Sequence, residues 1–356
     1  MNATGTQIVL SRGSRAELTE RLTWSRGGYV LVMDAEVERL WGAEVLDLVP
    51  EAAGTIRVPA GESAKSPETL VRVCRELVRI GLPRSGCVVA IGGGATGDLS
   101  GLAAALHLRG VSIVQVPTTL LAMVDASLGG KCAVNIPEGK NLIGCFHLPE
   151  LVLVDPDFLG TLPEIDFLSG VGEVAKYAIG FSRELFGTLE RDGMPAPGSS
   201  DLVDLIQSCL CIKSEIVSED PTEREGRRRV LLNLGHTTAH ALETHAASAG
   251  TRLPHGLAVA LGLRVALELA AGRGLLAEED RARSQALLDR LGLPARLVEL
   301  LPDAPPPTAR QLGDYLRRDK KRRRAELRVV LPLGLGHSGV EEIAEPSLTE
   351  AILAVC

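Results

Sequence analysis

Four of the seven histidines in this 356-residue chain, His236, His240, His245 and His255, fall in one stretch, RRRVLLNLGHTTAHALETHAASAGTRLPHG, residues 227–256. Neutral imidazole is a good ligand for zinc and similar divalent ions. His236 and His240 stand four apart on a helical pattern and therefore face the same way. Spacing alone gives both to one ion. The HExxH pattern of zinc proteases is absent, because Thr237 occupies the place of its glutamate. A lone histidine is more often a packing residue; clustering at this density favours a site.

Two further stretches offer anion chemistry. VPTTLLAMVDASLGGKCAVNIPEGKNLIGCFH, residues 116–147, sets Asp125, Lys131, Lys140 and Asn141 among Gly129, Gly130 and Gly139. Two ammonium groups and an amide on a glycine-rich backbone suit a phosphate or a carboxylate, because lysine is a mobile point charge and glycines let donors converge. A solvated loop with surface lysines is the plainer alternative. IGGGATGDLSGLAAALHLRG, residues 91–110, follows the apolar run CVVAI and leads into a helical pattern. Such a turn lets backbone approach a phosphate at a helix N-terminus. GGG also serves as a tight turn, and the stretch departs from GxGxxG. Finally, RRDKKRRR, residues 317–324, is basic at all but one position. Runs of this kind are solvated or bind polyanions, but this one leads into the strand-like ELRVVLP and can project part of itself into a site.

The elements that must position these groups divide the chain. YVLVMD (29–34), CVVAIGG (87–93), SIVQVP (112–117) and LVLVD (151–155) are short apolar runs alternating with helical patterns, the mark of a parallel sheet covered on both faces. Leu70, Val71, Cys74, Leu77 and Val78 recur at helical spacing behind a helix start at Ser66 and Pro67. From about residue 165 the texture becomes helical, over 167–190, 200–219, 229–246, 256–274, 279–291 and 308–318, followed by the strand ELRVVLP. The expectation is an α/β, Rossmann-like N-terminal domain, 1–163, and a mostly α-helical C-terminal domain, 164–356. AAGT, MPAPGSS and PDAPPP are loops.

Composition excludes several classes. A net charge of −7 provides no global field for nucleic acid or an anionic membrane. No run of about eighteen apolar residues is free of charge, and no signal peptide is read. The seven cysteines are odd in number and form no CxxC pair, which points to a reduced, cytoplasmic protein.

Taken together, GGGATGDLSGLAAALHLRG, VPTTLLAMVDASLGGKCAVNIPEGKNLIG, GEVAKY, LLNLGHTTAHALE, LPHG and RDKK occur in the order and near the spacing of the dehydroquinate synthase family of sugar-phosphate cyclases. The chain resembles that family over roughly residues 29–335. The resemblance implies NAD against Gly93, Gly94 and Asp98, in a pocket completed by Asp34, Glu62, Lys65, Thr118, Thr119, Asp125, Lys140, Phe158 and Thr161. It implies a zinc or cobalt ion on Glu173, His236 and His255, which takes His240 away from the metal. Substrate contacts are implied for Asp125, Lys131, Asn141, Lys176, Lys213, Arg229, Asn233, His240 and Lys320 of the DKK triplet, with Lys321 the alternative. Arg109 matches an arginine that reaches the phosphate of a neighbouring subunit's substrate, so a homodimer is implied.

The implied activity is 3-dehydroquinate synthase chemistry: transient oxidation at C5, elimination of phosphate, reduction by the same nicotinamide, and intramolecular aldol closure. Lys131, Asn141, Asn233 and His240 would hold the departing phosphate, and Arg229 offers the planar fork that suits a carboxylate. Cys132 stands where the family usually has threonine, and Leu257 follows HG where glutamate is common. Such departures fit a paralogue of secondary metabolism that takes an aminated or carboxylate-free sugar phosphate, but Lys131, Lys213 and Arg229 argue for a carboxylated substrate. A glycerol dehydrogenase-like enzyme would have no need of the anion pocket. A polyanion-binding protein acting through 317–324 leaves the histidines unexplained.

Overall fold

A computed structural model describes residues 2–3, 5–223, 228–319 and 326–356. Lys320, Lys321 and most of the basic run lie outside the described residues. The chain forms two compact units, Met1–Pro163 with Ala196–Thr222, and Glu164–Pro195 with Glu223–Cys356. The sequence placed the 200–219 helix in the C-terminal domain; it groups instead with the first unit.

The first unit is built on a sheet of β1 (Asn2–Ala3), β2 (Thr6–Leu10), β3 (Tyr29–Asp34), β4 (Gly54–Val58), β5 (Cys87–Gly92), β6 (Ser112–Pro117) and β9 (Leu151–Val154). Their order is β1-β2-β9-β6-β5-β3-β4, with only the short β1 antiparallel. Every residue of β3 and β5 is buried, as near-continuous apolar strands covered on both faces must be. The chain steps from β3 outward to β4 and then returns to the other side of β3 to make β5. This reversal puts a topological switch point where Asp34 and Gly92 end their strands, the place at which open α/β sheets bind ligands.

Around the sheet lie α1 (Leu18–Arg21), α2 (Ala35–Leu48), α3 (Pro67–Ile80), α4 (Gly94–Leu106) and α7 (Ser200–Glu219). Helix α3 carries the expected start. Ser66 Oγ accepts from Thr69 N at 3.1 Å, Pro67 opens the helix and Gly81 closes it at φ +81°. The stretch read as a flexible anion loop is partly an antiparallel hairpin, β7 (Lys131–Ile136) with β8 (Gly139–Phe146). It packs on α4 where Gly101 leaves room, since a Cβ there would run into the Cys132 sulfur.

The second unit contains α5 (Glu164–Phe181), α6 (Arg183–Asp192), α8 (His236–Ser248), α9 (His255–Gly272), α10 (Glu278–Arg290), α11 (Ala309–Asp319), α12 (Glu345–Leu353) and a hairpin of β10 (Glu326–Gly334) with β11 (His337–Ala344). The single helix expected over 167–190 is broken at Ser182, whose side chain caps α6 through Leu185 N at 3.1 Å. The helix expected over 229–246 is a 3-10 turn, Arg228–Asn233, followed by α8 after Gly235 at φ +79°. A leucine-rich run and a histidine run share one helical periodicity, so only the left-handed glycine marks the break. Helix α9 is long and apolar enough to cross a membrane by length and composition, yet it is mostly buried in its unit, as a core helix is.

Helices α5 and α9 meet backbone to backbone. A Cβ on Gly172 would collide with the Gly256 carbonyl, and one on Gly256 with the Ser169 carbonyl, whose side chain accepts Gly256 N–H at 3.0 Å. Gly256→Ala should therefore force the helices apart at a cost on the order of 2 kcal/mol. Since each kcal/mol is worth roughly 2–4 °C in units of this size, thermal denaturation should show a drop of several degrees; an unchanged midpoint would mean the contact is not constraining.

Candidate active site

In the second unit three helices deliver charged groups to one place. Glu173 and Lys176 lie one turn apart on α5, both buried, and Glu173 Oε2 is 2.5 Å from Lys176 Nζ. Glu173 Oε1 lies 3.4 Å from His255 Nε2, at the first turn of α9, and 3.7 Å from His236 Nε2, at the first turn of α8. One ligand atom from each of Glu173, His236 and His255 falls within 4.8 Å of the others. One carboxylate and two imidazoles suit a zinc-type cation and leave positions open for substrate oxygens. The His236 Nδ1 is 3.0 Å from the Leu234 carbonyl, which fixes that proton and turns the Nε2 lone pair inward.

The His240 ring lies beside the cluster, with its centroid 5.7 Å from that of His236 and 6.3 Å from that of His255. It is not one of the three gathered ligands. His245 is elsewhere, with Nε2 2.8 Å from the Pro305 carbonyl in a packing role. Arg229 is buried, and Asn233 donates to Glu223 Oε1 at 2.9 Å. Arg317, at the start of the basic run, pairs with Asp314 and Glu345.

Burial is the largest single influence on both imidazoles. It depresses His236 to about 3. It also works against charge on His255, but there the carboxylates of Glu243 and Glu173 overcome it and raise the ring to about 10.

The first unit assembles a second set at its switch point. The β5–α4 turn runs through Gly93, and a Cβ there would press on the Thr119 side chain at 3.1 Å, while one on Gly94 would meet Ala126 at 3.0 Å. Thr118 N donates to the Gly92 carbonyl at 3.0 Å. Asp34 caps α2, accepting from Glu36 N at 2.8 Å, and also takes Gly61 N at 3.2 Å. Lys65 is buried and bridges Asp98, at 2.6 Å, to the side-chain oxygen of Asn141. Burial lifts the Asp98 carboxyl above its ordinary range, and Lys65 opposes that shift. Lys213, on α7, donates to the Asp125 carbonyl at 2.6 Å and pairs with its carboxylate at 2.9 Å. Lys131, Lys140 and Arg109 are exposed.

Two contributors were missed by the sequence reading. Asn135 accepts Asn141 N–H at 2.9 Å, donates to Glu62 at 2.8 Å, and gives its own N–H to the Lys65 carbonyl at 2.8 Å. Asn141 sits at φ +57°, so this clasp holds a left-handed residue in place. An asparagine just before the PEG turn was the available signal. Trp41 donates to Thr161 Oγ1 at 2.9 Å and packs edge-on to Phe158 at 5.0 Å.

Comparison with known proteins places this arrangement. Residues 55–169 match the family model for the 3-dehydroquinate synthase N-terminal region, and residues 170–322 match that for its C-terminal region. The chain belongs to the 3-dehydroquinate synthase family. It is 40% identical over 335 residues to the 3-dehydroquinate synthase of Synechococcus sp., covering 92% of this chain and 88% of that one. The enzyme of the same name from Microcystis aeruginosa is 37% identical and covers 98% of this chain and 94% of its own. Among solved structures, a 2-epi-5-epi-valiolone synthase of Streptomyces hygroscopicus with NAD+ and Zn2+ bound is 28% identical, with TM-score 0.86 over 100% of this chain and 98% of that one. A 2-deoxy-scyllo-inosose synthase complexed with carbaglucose-6-phosphate, NAD+ and Co2+ shares the fold at TM-score 0.84 and 24% identity, covering 98% of this chain and 96% of its own. The family's enzymes are NAD- and metal-dependent cyclases.

The raised His255 has a consequence for this family member prepared without metal. Its folded value lies above the ordinary 6.5, so the stability it contributes is complete below about pH 6.5 and is lost as pH rises through about 10. The metal-free protein's denaturation midpoint should fall across that window, and His255→Gln should flatten the fall. An equally steep fall in His255→Gln would show that other groups are responsible.

Proposed function

We propose that this chain is a 3-dehydroquinate synthase acting in the cytoplasm, converting 3-deoxy-D-arabino-heptulosonate 7-phosphate into 3-dehydroquinate and phosphate. One observation carries the reading: the Glu173, His236 and His255 donor set occurs in a chain that also has a glycine turn at a sheet switch point and 40% identity to enzymes of that name. When bound, NAD takes and returns a hydride, while zinc or cobalt polarises substrate oxygens. All else falls to the chain.

In the first unit, backbone N–H groups at Gly93 and Gly94 face the dinucleotide's phosphates at a helix N-terminus. Asp34, Glu62, Lys65, Asp98, Thr118, Thr119, Asp125, Lys140, Phe158 and Thr161 complete its pocket. Lys131, Asn141 and Lys213 provide cations and an amide for the substrate's anionic groups. In the second unit Glu173, His236 and His255 hold the metal ion, with Lys176 neutralising the carboxylate's other oxygen. Arg229 offers its fork to the substrate carboxylate, and Asn233 and His240 serve the phosphate, as does Lys320 from outside the described residues. Retention of Arg229 and Lys213 favours this substrate over the carboxylate-free ones of related cyclases.

A homodimer completes the reading. Val71 and Val78 on α3 and Leu106 at the end of α4 line one open surface cavity and are exposed, as is Leu108 beside Arg109. Apolar clusters of this kind mark contact surfaces, and Arg109 follows Leu106 by three residues, with left-handed backbone at Leu108 and at Arg109 itself.

Purified protein with Zn2+, substoichiometric NAD and the heptulosonate phosphate should release phosphate over many turnovers as a dimer in solution. NADH building up with product would sink the proposal, and faster turnover of sedoheptulose 7-phosphate would transfer the chain to the carboxylate-free cyclases.

The histidines separate by a different measurement. His236→Ala should lose bound metal. His240→Ala should keep it near stoichiometry and lose turnover instead. Elemental analysis of the two folded variants decides, and equal loss of metal from both would show the ligand assignment to be wrong.

A further inference from the structure

Glu243 belongs to none of the sets above, yet it is buried on α8 with its side chain only 4% exposed. It lies seven residues beyond His236 and three beyond His240, so all three share one stripe of the helix. Its Oε2 is 3.4 Å from His255 Nδ1, while the opposite nitrogen of the same ring, Nε2, is 3.4 Å from Glu173 Oε1. The His255 ring thus stands between two buried carboxylates, one at each nitrogen.

We propose that Glu243 is the positioning residue that prepares His255 to bind a divalent cation. This rests on the reading of Glu173, His236 and His255 as metal ligands. To bind through Nε2, the ring must carry its remaining proton on Nδ1 and be held against rotation. Glu243 accepts that proton's hydrogen bond, which sets the tautomer, orients the ring and raises the basicity of Nε2. A carboxylate, histidine and metal in series is the common form of such support. The two imidazoles differ in this respect. His236 Nδ1 faces a neutral backbone carbonyl, that of Leu234, and no side-chain substitution removes that partner. His255 faces a side-chain carboxyl group instead, so its donor strength can be changed by one substitution that leaves Glu173, His236 and His255 in place.

The test is Zn2+ affinity by chelator competition and the visible absorption of the Co2+ form, for wild type, Glu243→Gln and Glu243→Ala. Glu243→Gln keeps the shape and an acceptor but loses the charge, and should weaken Zn2+ about tenfold. Glu243→Ala should approach a hundredfold, and both should shift the Co2+ bands. NAD affinity and circular dichroism should stay at wild-type values, which separates weakened ligation from misfolding. Wild-type Zn2+ affinity and Co2+ spectra in Glu243→Gln, the variant that preserves packing, would overturn the role. Were His236→Ala also to bind Zn2+ like wild type, the metal reading itself would fail, a result distinct from a failure at Glu243 alone.

Discussion

A carboxylate cut off from solvent constrains the whole second unit. Glu173 is fully buried, and an ionised carboxylate left unmatched in such a place costs several kcal/mol. The match comes from Lys176 one turn along the same helix and from two imidazoles on α8 and α9. For those rings to arrive, α9 must begin against α5, which the Gly172 and Gly256 contact permits. Helix α8 must begin against α9, which Gly235 and Gly262 permit in the same way, a Cβ on Gly262 colliding with the Gly235 carbonyl. The glycines therefore do not merely turn the chain. They set the distance at which histidines at two helix starts can face one carboxylate.

Similar electrostatics organises the first unit on its own. Lys65 is paired with Asp98, and Lys213 with Asp125. Each lysine is buried, and an acid stands beside each ammonium. Lys65 also reaches Asn141, and Asn135 locks the Asn141 backbone to Glu62. Residues expected to meet the dinucleotide and residues expected to meet the substrate are thus joined in one hydrogen-bonded network within this unit. A change in either group has a short physical route to the other.

Much of this was legible in the sequence. The buried strands are apolar runs bounded by turn residues, and Ser66 and Pro67 announce the start of α3 by their own conformational preferences. What escaped has identifiable causes. The hairpin of β7 and β8 has glycines and lysines where strands usually carry β-branched residues, so it reads as loop. Its register is held by packing on α4 that no local pattern encodes. The partner strand β11 is partly exposed and lacks an apolar alternation. The 200–219 helix reads correctly as a helix, but its unit is set by the surface its apolar face meets. For the site, spacing brought His236 and His240 together on one helix face, and the rings are indeed neighbours. It could not say that the carboxylate facing His236 would come from Glu173, more than sixty residues earlier, nor that Asn135 and Glu243 would support the groups around them.

The departures from the family pattern bear on which cyclase this is. Cys132, in place of the usual threonine, is buried against Gly101 and its thiol hydrogen bonds weakly to the Gly130 carbonyl at 3.5 Å. Burial holds that thiol well above its ordinary range, so it is neutral and unreactive, a small apolar filler where α4 and the hairpin meet. Leu257, in place of the common glutamate, is wholly buried in the first turn of α9. Both changes exchange a polar side chain for one that packs. Neither removes a cation or a hydrogen-bond donor from the groups that would recognise a carboxylated sugar phosphate. If Arg229 meets the substrate carboxylate as proposed, a shift to a carboxylate-free substrate would instead relieve the requirement for that arginine. Arg229 is among the most deeply buried large side chains of the chain, and holding a guanidinium there is costly unless an anion or a fixed set of acceptors repays it.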